Sequence, residues 1–193
     1  MRVEVLVLTT ALGLGLGMMS AASVGAGAQI EQKKAAEQQI EEALSALPES
    51  MREDATVKGF DESGSLVVLR EGTSSITCRA DDPTVRAWIV HCYPEALEAF
   101  VARSEELRKE GVDTPARIKT LTAEIESGAI QLPDIAVIYA RQGNSVDSAS
   151  GVVIAHVPNA TGRSTGLPTL PTRGSPWLAE TGTPMANIRI AVR

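Results

Sequence analysis

Two cysteines constrain this chain more than any other pair of residues. Cys78 and Cys92 are the only ones in 193 residues, so a single intramolecular pairing is possible. It would close a loop of about 15 residues, for which loop-entropy arguments give about 3 kcal/mol. That is a useful fraction of a domain's marginal stability. Two other uses of the thiols compete. A redox pair is more typically C-x-x-C, and a zinc site needs further Cys or His at ligand spacing. His91 adjoins Cys92, but neighbours on a strand point to opposite faces. The choice therefore depends on the compartment, because disulfides persist where the surroundings oxidise.

The N-terminus points to such a compartment. Arg2 is followed by an apolar stretch from Val5 to about Gly17, and small residues then lead to Ala26-Gly27-Ala28, an A-x-A cleavage pattern. The run is shorter than the roughly 20 apolar residues of a spanning helix and is loosened by Gly13, Gly15 and Gly17. The expectation is a secretory signal over 1–28, cleavage after Ala28, and a single domain over 29–193 that is secreted or periplasmic. No later segment is long enough to span a membrane. Arg2 and Glu4 would leave together, so the formal charge of −6 would survive cleavage. That charge, with aromatics at 3%, leaves neither an electrostatic reason nor stacking platforms for nucleic acid.

Hydrophobic periodicity orders the rest. Gln29 to Leu47 reads as a helix, with Ala36, Ile40, Leu44 and Leu47 on one face and Pro48 at its end. Ala55–Phe60, Leu66–Arg70 and Ser74–Ala80 read as a strand meander, the first two joined by the turn-forming Asp61–Ser65. Asp81-Asp82-Pro83 reads as a turn; too few oxygen ligands surround it for an EF-hand. A helical hairpin follows. Its first arm, after Pro94, carries Leu97, Phe100, Val101 and Leu107 and stops at Gly111. The second, capped by Asp113 or Thr114, carries Ile118, Leu121 and Ile125 and stops at Gly128. Ile135–Ala140, Val152–Val157 and Met185–Val192 return to strands, with a long loop over Pro158–Pro184. The resulting expectation is one α+β domain. A mostly antiparallel sheet of about six strands is covered by an N-terminal helix and a helical hairpin.

Chemistry-bearing patterns are sparse. Gly162-Arg163-Ser164-Thr165-Gly166 matches the G-x-S-x-G nucleophile elbow, yet no histidine follows Ser164 and Pro168 and Pro171 forbid the helix the elbow needs. His156 shares a strand face with Val152 and Ile154, which suits either a hydrogen-bonded core histidine or a pocket wall. Arg141 leaves the neighbouring strand run, so Arg141 and His156 form a candidate anion-holding pair. Trp177, on the long loop, is the third candidate pocket residue. Only two histidines and no P-loop, H-E-x-x-H or zinc-knuckle spacing leave no cofactor or metal to expect.

Short motifs along the mature chain resemble a family of exported bacterial proteins of unknown function. They are Ala43-Leu44-Ser45-Ala46-Leu47-Pro48, Ala55-Thr56-Val57, Leu69-Arg70-Glu71-Gly72-Thr73 with Thr77-Cys78, Cys92, Ala155-His156-Val157-Pro158-Asn159, and Ser164-Thr165-Gly166-Leu167-Pro168-Thr169. The resemblance implies export and a Cys78–Cys92 pair. It departs between the cysteines, where the family has a longer Pro/Asp-rich segment, and in the helical region, which is shorter in the family. The functional expectation is an exported, non-enzymatic module that binds a small molecule or an envelope protein. The alternatives are a small hydrolase using His156 with a residue of the 158–184 loop, and an interaction protein docking through its helical hairpin.

Overall fold

A computed structural model describes residues 35–172 and 174–192. The signal-like segment 1–28 and the first residues of the expected N-terminal helix lie outside these. Helix α1 covers residues 35–44. Eight strands form one sheet: β1 Thr56–Phe60, β2 Leu66–Arg70, β3 Ile76–Arg79, β4 Trp88–Pro94, β5 Ala136–Gly143, β6 Ser150–His156, β7 Trp177–Ala179 and β8 Asn187–Val192. Their spatial order is β2-β1-β3-β4-β5-β6-β8-β7. Helices α2 (Glu98–Lys109) and α3 (Thr114–Glu126) are the hairpin, and α4 (Gly162–Thr165) is a single turn in the long loop. The α+β architecture is the expected one, but about six strands become eight. β4 and β7 are the additions, and β4 is central.

The first three strands are not a simple meander. β1 pairs antiparallel with β2, while β3 passes to the other side of β1 and pairs with it in parallel. The chain makes this crossing at Gly72, packed against the entry to β1. A Cβ there would lie 2.3 Å from the Asp54 carbonyl oxygen and 2.4 Å from both Ala55 C and Thr56 N. Beyond it, the Thr73 and Ser74 amides both donate to the Asp54 carbonyl at 2.9 Å. Glycine is therefore a steric requirement, and the close approach is what turns a meander into a mixed sheet. The β1–β2 turn is closed by Asp61, whose Oδ1 accepts from the Ser63 and Ser65 amides at 2.9 Å.

Cys78 and Cys92 are direct partners across β3 and β4, and they form a disulfide. Both are fully buried. They lie under α1, packed with Ala43, Leu44, Leu47 and Val57. Gln39 of α1 also clamps the end of β1: its amide donates to the Phe60 carbonyl at 3.0 Å and accepts from the Phe60 amide at 2.8 Å.

The hairpin lies on the opposite face. Tyr93 of β4 and Ala136 of β5 pack with Leu97 and Val101, while Leu107, Leu121 and Ile130 close the space between the helices. Residues on the two faces alternate along β4, so a disulfide cysteine and the hairpin's main anchor, Tyr93, are adjacent in sequence. The capping signals act as expected. Asp113 is the N-cap of α3, accepting from the Ala116 amide at 2.9 Å, with Pro115 in the first turn. Gly111 and Gly128 follow the two helices with φ of 80° and 78°.

Strand β8 reverses the usual polarity of an alternating strand. Asn187 is buried and Arg189 half-buried on the hairpin face, while Ile190 and Val192 are exposed on the α1 face. The hydrophobic core on that face gathers beneath α1 around β1, β3 and β4, toward the other end of the sheet.

Candidate functional site

The hairpin stands over β4 and β5, and the space between it and β6–β8 is filled incompletely. A cavity of about 200 Å³ remains there. One wall is apolar: Leu97, Phe100, Ile118, Leu132 and Ile138 come from the hairpin, the chain after it and β5. The other is built from β6, β8 and the segment between β7 and β8. It carries Ile154, Met185 and four polar residues, His156, Glu180, Asn187 and Arg189. The volume is on the scale of the roughly 150 Å³ apolar cavity that admits a benzene-sized guest.

The strand register sets the polar wall. Ala136, His156 and Asn187 are consecutive partners across β5, β6 and β8, and Ile138, Ile154 and Arg189 form the next row on that face. His156 and Arg189 are thus diagonal neighbours, within reach of long side chains. Asn187 is satisfied: its amide donates to the Met185 carbonyl at 2.9 Å, and its oxygen accepts from Arg189 Nε at 3.0 Å. His156 is not. The residue is 6% exposed, and its Nε2 is enclosed with no hydrogen-bond partner among the described residues. Burial holds its pKa below the ordinary histidine value, so the ring is neutral near pH 7. An enclosed imidazole nitrogen without a partner costs about 1–3 kcal/mol, so the site favours a guest carrying a complementary polar atom. Glu180 reaches the cavity from a left-handed backbone position, φ 51°. That conformation is uncommon outside glycine and asparagine and is tolerated where surrounding structure enforces it.

The sequence-derived candidates separate. His156 lines the cavity. Trp177 pairs directly with Arg189 across β7 and β8, which puts it on the same face, just beyond the lining residues. Arg141 is elsewhere. It lies two positions beyond Tyr139, which packs under α1, so it belongs to the opposite face. There it donates to Ser45 Oγ at 2.9 Å and sits over the Trp88 ring at 5.7 Å. Ser164 is occupied as the third residue of α4. Its hydroxyl accepts from the Thr161 amide at 2.9 Å while its own amide donates to Thr161 Oγ1 at 3.1 Å, a reciprocal capping box. Gly166 ends that turn at φ 71°. The G-x-S-x-G match is a capped turn with a glycine stop.

Sequence reasoning missed Glu180, Asn187 and Arg189 as site residues. The β8 alternation places Asn187 and Arg189 on one face, but not which face is turned inward. Nothing in the sequence marked Glu180.

A second polar cluster, also unforeseen, lies under the C-terminal half of α2. Arg79 of β3 is nearly buried and pairs with Glu105 of α2; Arg108 joins Asp82 at 2.6 Å and Glu105 at 3.6 Å. Asp81, Asp82, His91, Glu105 and Arg108 border a cavity of about 110 Å³. Burial, with the Arg79 and Arg108 guanidinium groups adding, pushes His91 down to about 4. Burial raises Asp81, whereas Asp82 is held low because hydrogen bonds from Thr84 and Arg108 outweigh its burial. The charges pair with one another, which marks a structural tie between β3, the 80–87 segment and α2. No group of three or more metal-ligating side chains converges among the described residues.

Comparison of the chain with protein-family models, with curated proteins and with solved structures finds no match in any of the three.

Proposed function

We propose that this chain is an exported, non-enzymatic binding protein that takes a small molecule into the cavity between the helical hairpin and the β6–β8 wall. The observation carrying the proposal is the enclosed, unpartnered Nε2 of His156 in the polar wall of a cavity whose facing wall is apolar. Buried polar groups are normally satisfied, and a bound ligand would satisfy this one. The lining holds no serine, threonine or cysteine to act as nucleophile, and nothing among the described residues hydrogen-bonds His156 to orient it as a base. That favours binding over the hydrolase alternative. Docking through the hairpin is less favoured, because the exposed large apolar residues, such as Val68, Ile135, Leu170 and Ile190, lie outside α2 and α3. Export, to the periplasm or beyond, is supported by the signal-like 1–28 segment and the buried disulfide. No helix among the described residues is long and apolar enough to cross a membrane.

Titration with benzene, followed by amide chemical shifts, tests the site. The expected result is saturable shifts confined to Ile118, Ile138, Ile154, His156 and their neighbours, abolished in Ile118→Trp, whose indole fills the space. Shifts that persist in I118W overturn the proposal, as does the absence of saturable shifts with benzene and with the amino-acid ligand tested below. N-terminal sequencing of the exported protein should begin at Gln29.

A further inference from the structure

The geometry points to a narrower ligand class for this cavity: a small zwitterion with an aliphatic body, an α-amino acid of about leucine's size. This inference rests on the ligand-binding reading above and specifies its chemistry. Arg189 and Glu180 line the same cavity with opposite charges. Arg189 commits Nε to Asn187, and its terminal guanidinium nitrogens have no partner among the described residues. The Glu180 carboxylate makes no hydrogen bond or ion pair among them either, and the two side chains do not pair with each other. A cation and an anion held apart on one wall match a ligand that carries both charges on groups attached to one carbon.

The alternatives fit less well. A simple carboxylate would satisfy Arg189 but face Glu180 with like charge, and an amine would do the reverse. The zwitterion answers both: its carboxylate takes the fork of Arg189, and its ammonium donates to Glu180. With the ring in the Nδ1–H tautomer, His156 Nε2 accepts a second ammonium proton and loses its unsatisfied state. Arg189 and Glu180 are half-buried whereas His156 is buried, so the charged head can keep contact with solvent while the body turns inward. The facing wall of Phe100, Ile118, Leu132 and Ile138 offers the aliphatic side chain only apolar contacts.

The test needs no variant at first. The purified chain is titrated by calorimetry with leucine, with 4-methylpentanoate, which lacks the amine, and with 3-methylbutan-1-amine, which lacks the carboxylate. Glycine supplies the head without the body. Leucine should bind at least about tenfold tighter than either truncated ligand, the effect of losing one charge-assisted contact, and at least about tenfold tighter than glycine, which buries no aliphatic body. Arg189→Gln should erase its advantage over the amine, and Glu180→Gln its advantage over 4-methylpentanoate. Either truncated ligand, or glycine, matching leucine overturns the zwitterion assignment. Benzene binding without any leucine binding overturns it too, and leaves the cavity's role standing. If neither benzene nor leucine binds, the ligand-binding reading fails with it.

Discussion

Replacing Gly72 by alanine should separate two kinds of glycine in this fold. At Gly72 the added methyl meets backbone atoms of residues 54–56 at 2.3–2.4 Å, about 1 Å inside ordinary contact. No rotamer relieves this, since the opposing atoms are main chain. The crossing segment must lift away, which strains the two 2.9 Å hydrogen bonds to the Asp54 carbonyl and the 3.1 Å bond from the Gly72 amide to Thr56 Oγ1. Overpacking costs about 1–3 kcal/mol, and weakening these bonds adds about 1 kcal/mol each if they are lost. With all three bonds lost the expected loss is about 4–6 kcal/mol, or roughly 8–24 °C in Tm for a chain of this length. Gly64→Ala is the control. Its φ of 75° makes alanine unfavourable, yet nothing lies within 4 Å of the new methyl. There the cost should be only the left-handed penalty, about 1–2 kcal/mol. Urea unfolding of both variants by circular dichroism, with the disulfide intact, gives the two values. A Gly72→Ala protein within about 1 kcal/mol of the parent, at unchanged m, would refute the reasoning and with it the parallel β1–β3 crossing.

Three further outcomes follow from the same packing. The double variant Cys78→Ala/Cys92→Ala should lose about 3 kcal/mol, and alkylation of the denatured, unreduced parent should modify no thiol by intact mass. Arg79→Met takes from Glu105 its close partner, leaving only Arg108 at 3.6 Å, and should cost about 3 kcal/mol; adding Glu105→Leu should recover most of that, as read from urea midpoints. His91 titrates near 4 when folded and near 6.5 unfolded, so between those values the unfolded chain binds a proton that the native one refuses. Stability should therefore fall as pH drops through 6.5 toward 4. The loss from this residue is about 2 kcal/mol at pH 5, and the difference between the parent and His91→Phe measured at pH 7 and pH 5 isolates it from the carboxylates. Parallel pH profiles would place His91 in solvent.

Local periodicity decided the elements that bury one face. The stripe from Leu97 to Leu107, the Asp113 cap with Pro115, and the glycine stops at Gly111 and Gly128 are all near-neighbour effects, and each helix of the hairpin formed where its stripe lies. The cysteine pairing was also legible, since only one intramolecular bond was possible. β4 was harder to see because apolar side chains occupy both of its faces. Trp88, Val90 and Cys92 serve α1 while His91 and Tyr93 serve the hairpin side, so no polar alternation marks the strand.

What the tertiary structure alone decided is pairing and facing. Gly72 carries no local signal for a crossover; its meaning comes from the backbone of Asp54 to Thr56 arriving beneath it. Arg141 and His156 sit on neighbouring strand runs in sequence, yet the two-residue period sends them to opposite faces of the sheet. The alternation of β8 separated Asn187 and Arg189 from Ile188 and Ile190, but only the position of the hairpin turned the polar set inward. A strand's pattern says which residues share a face. Which face meets a partner depends on contacts made far along the chain, and the candidate site was built from those contacts.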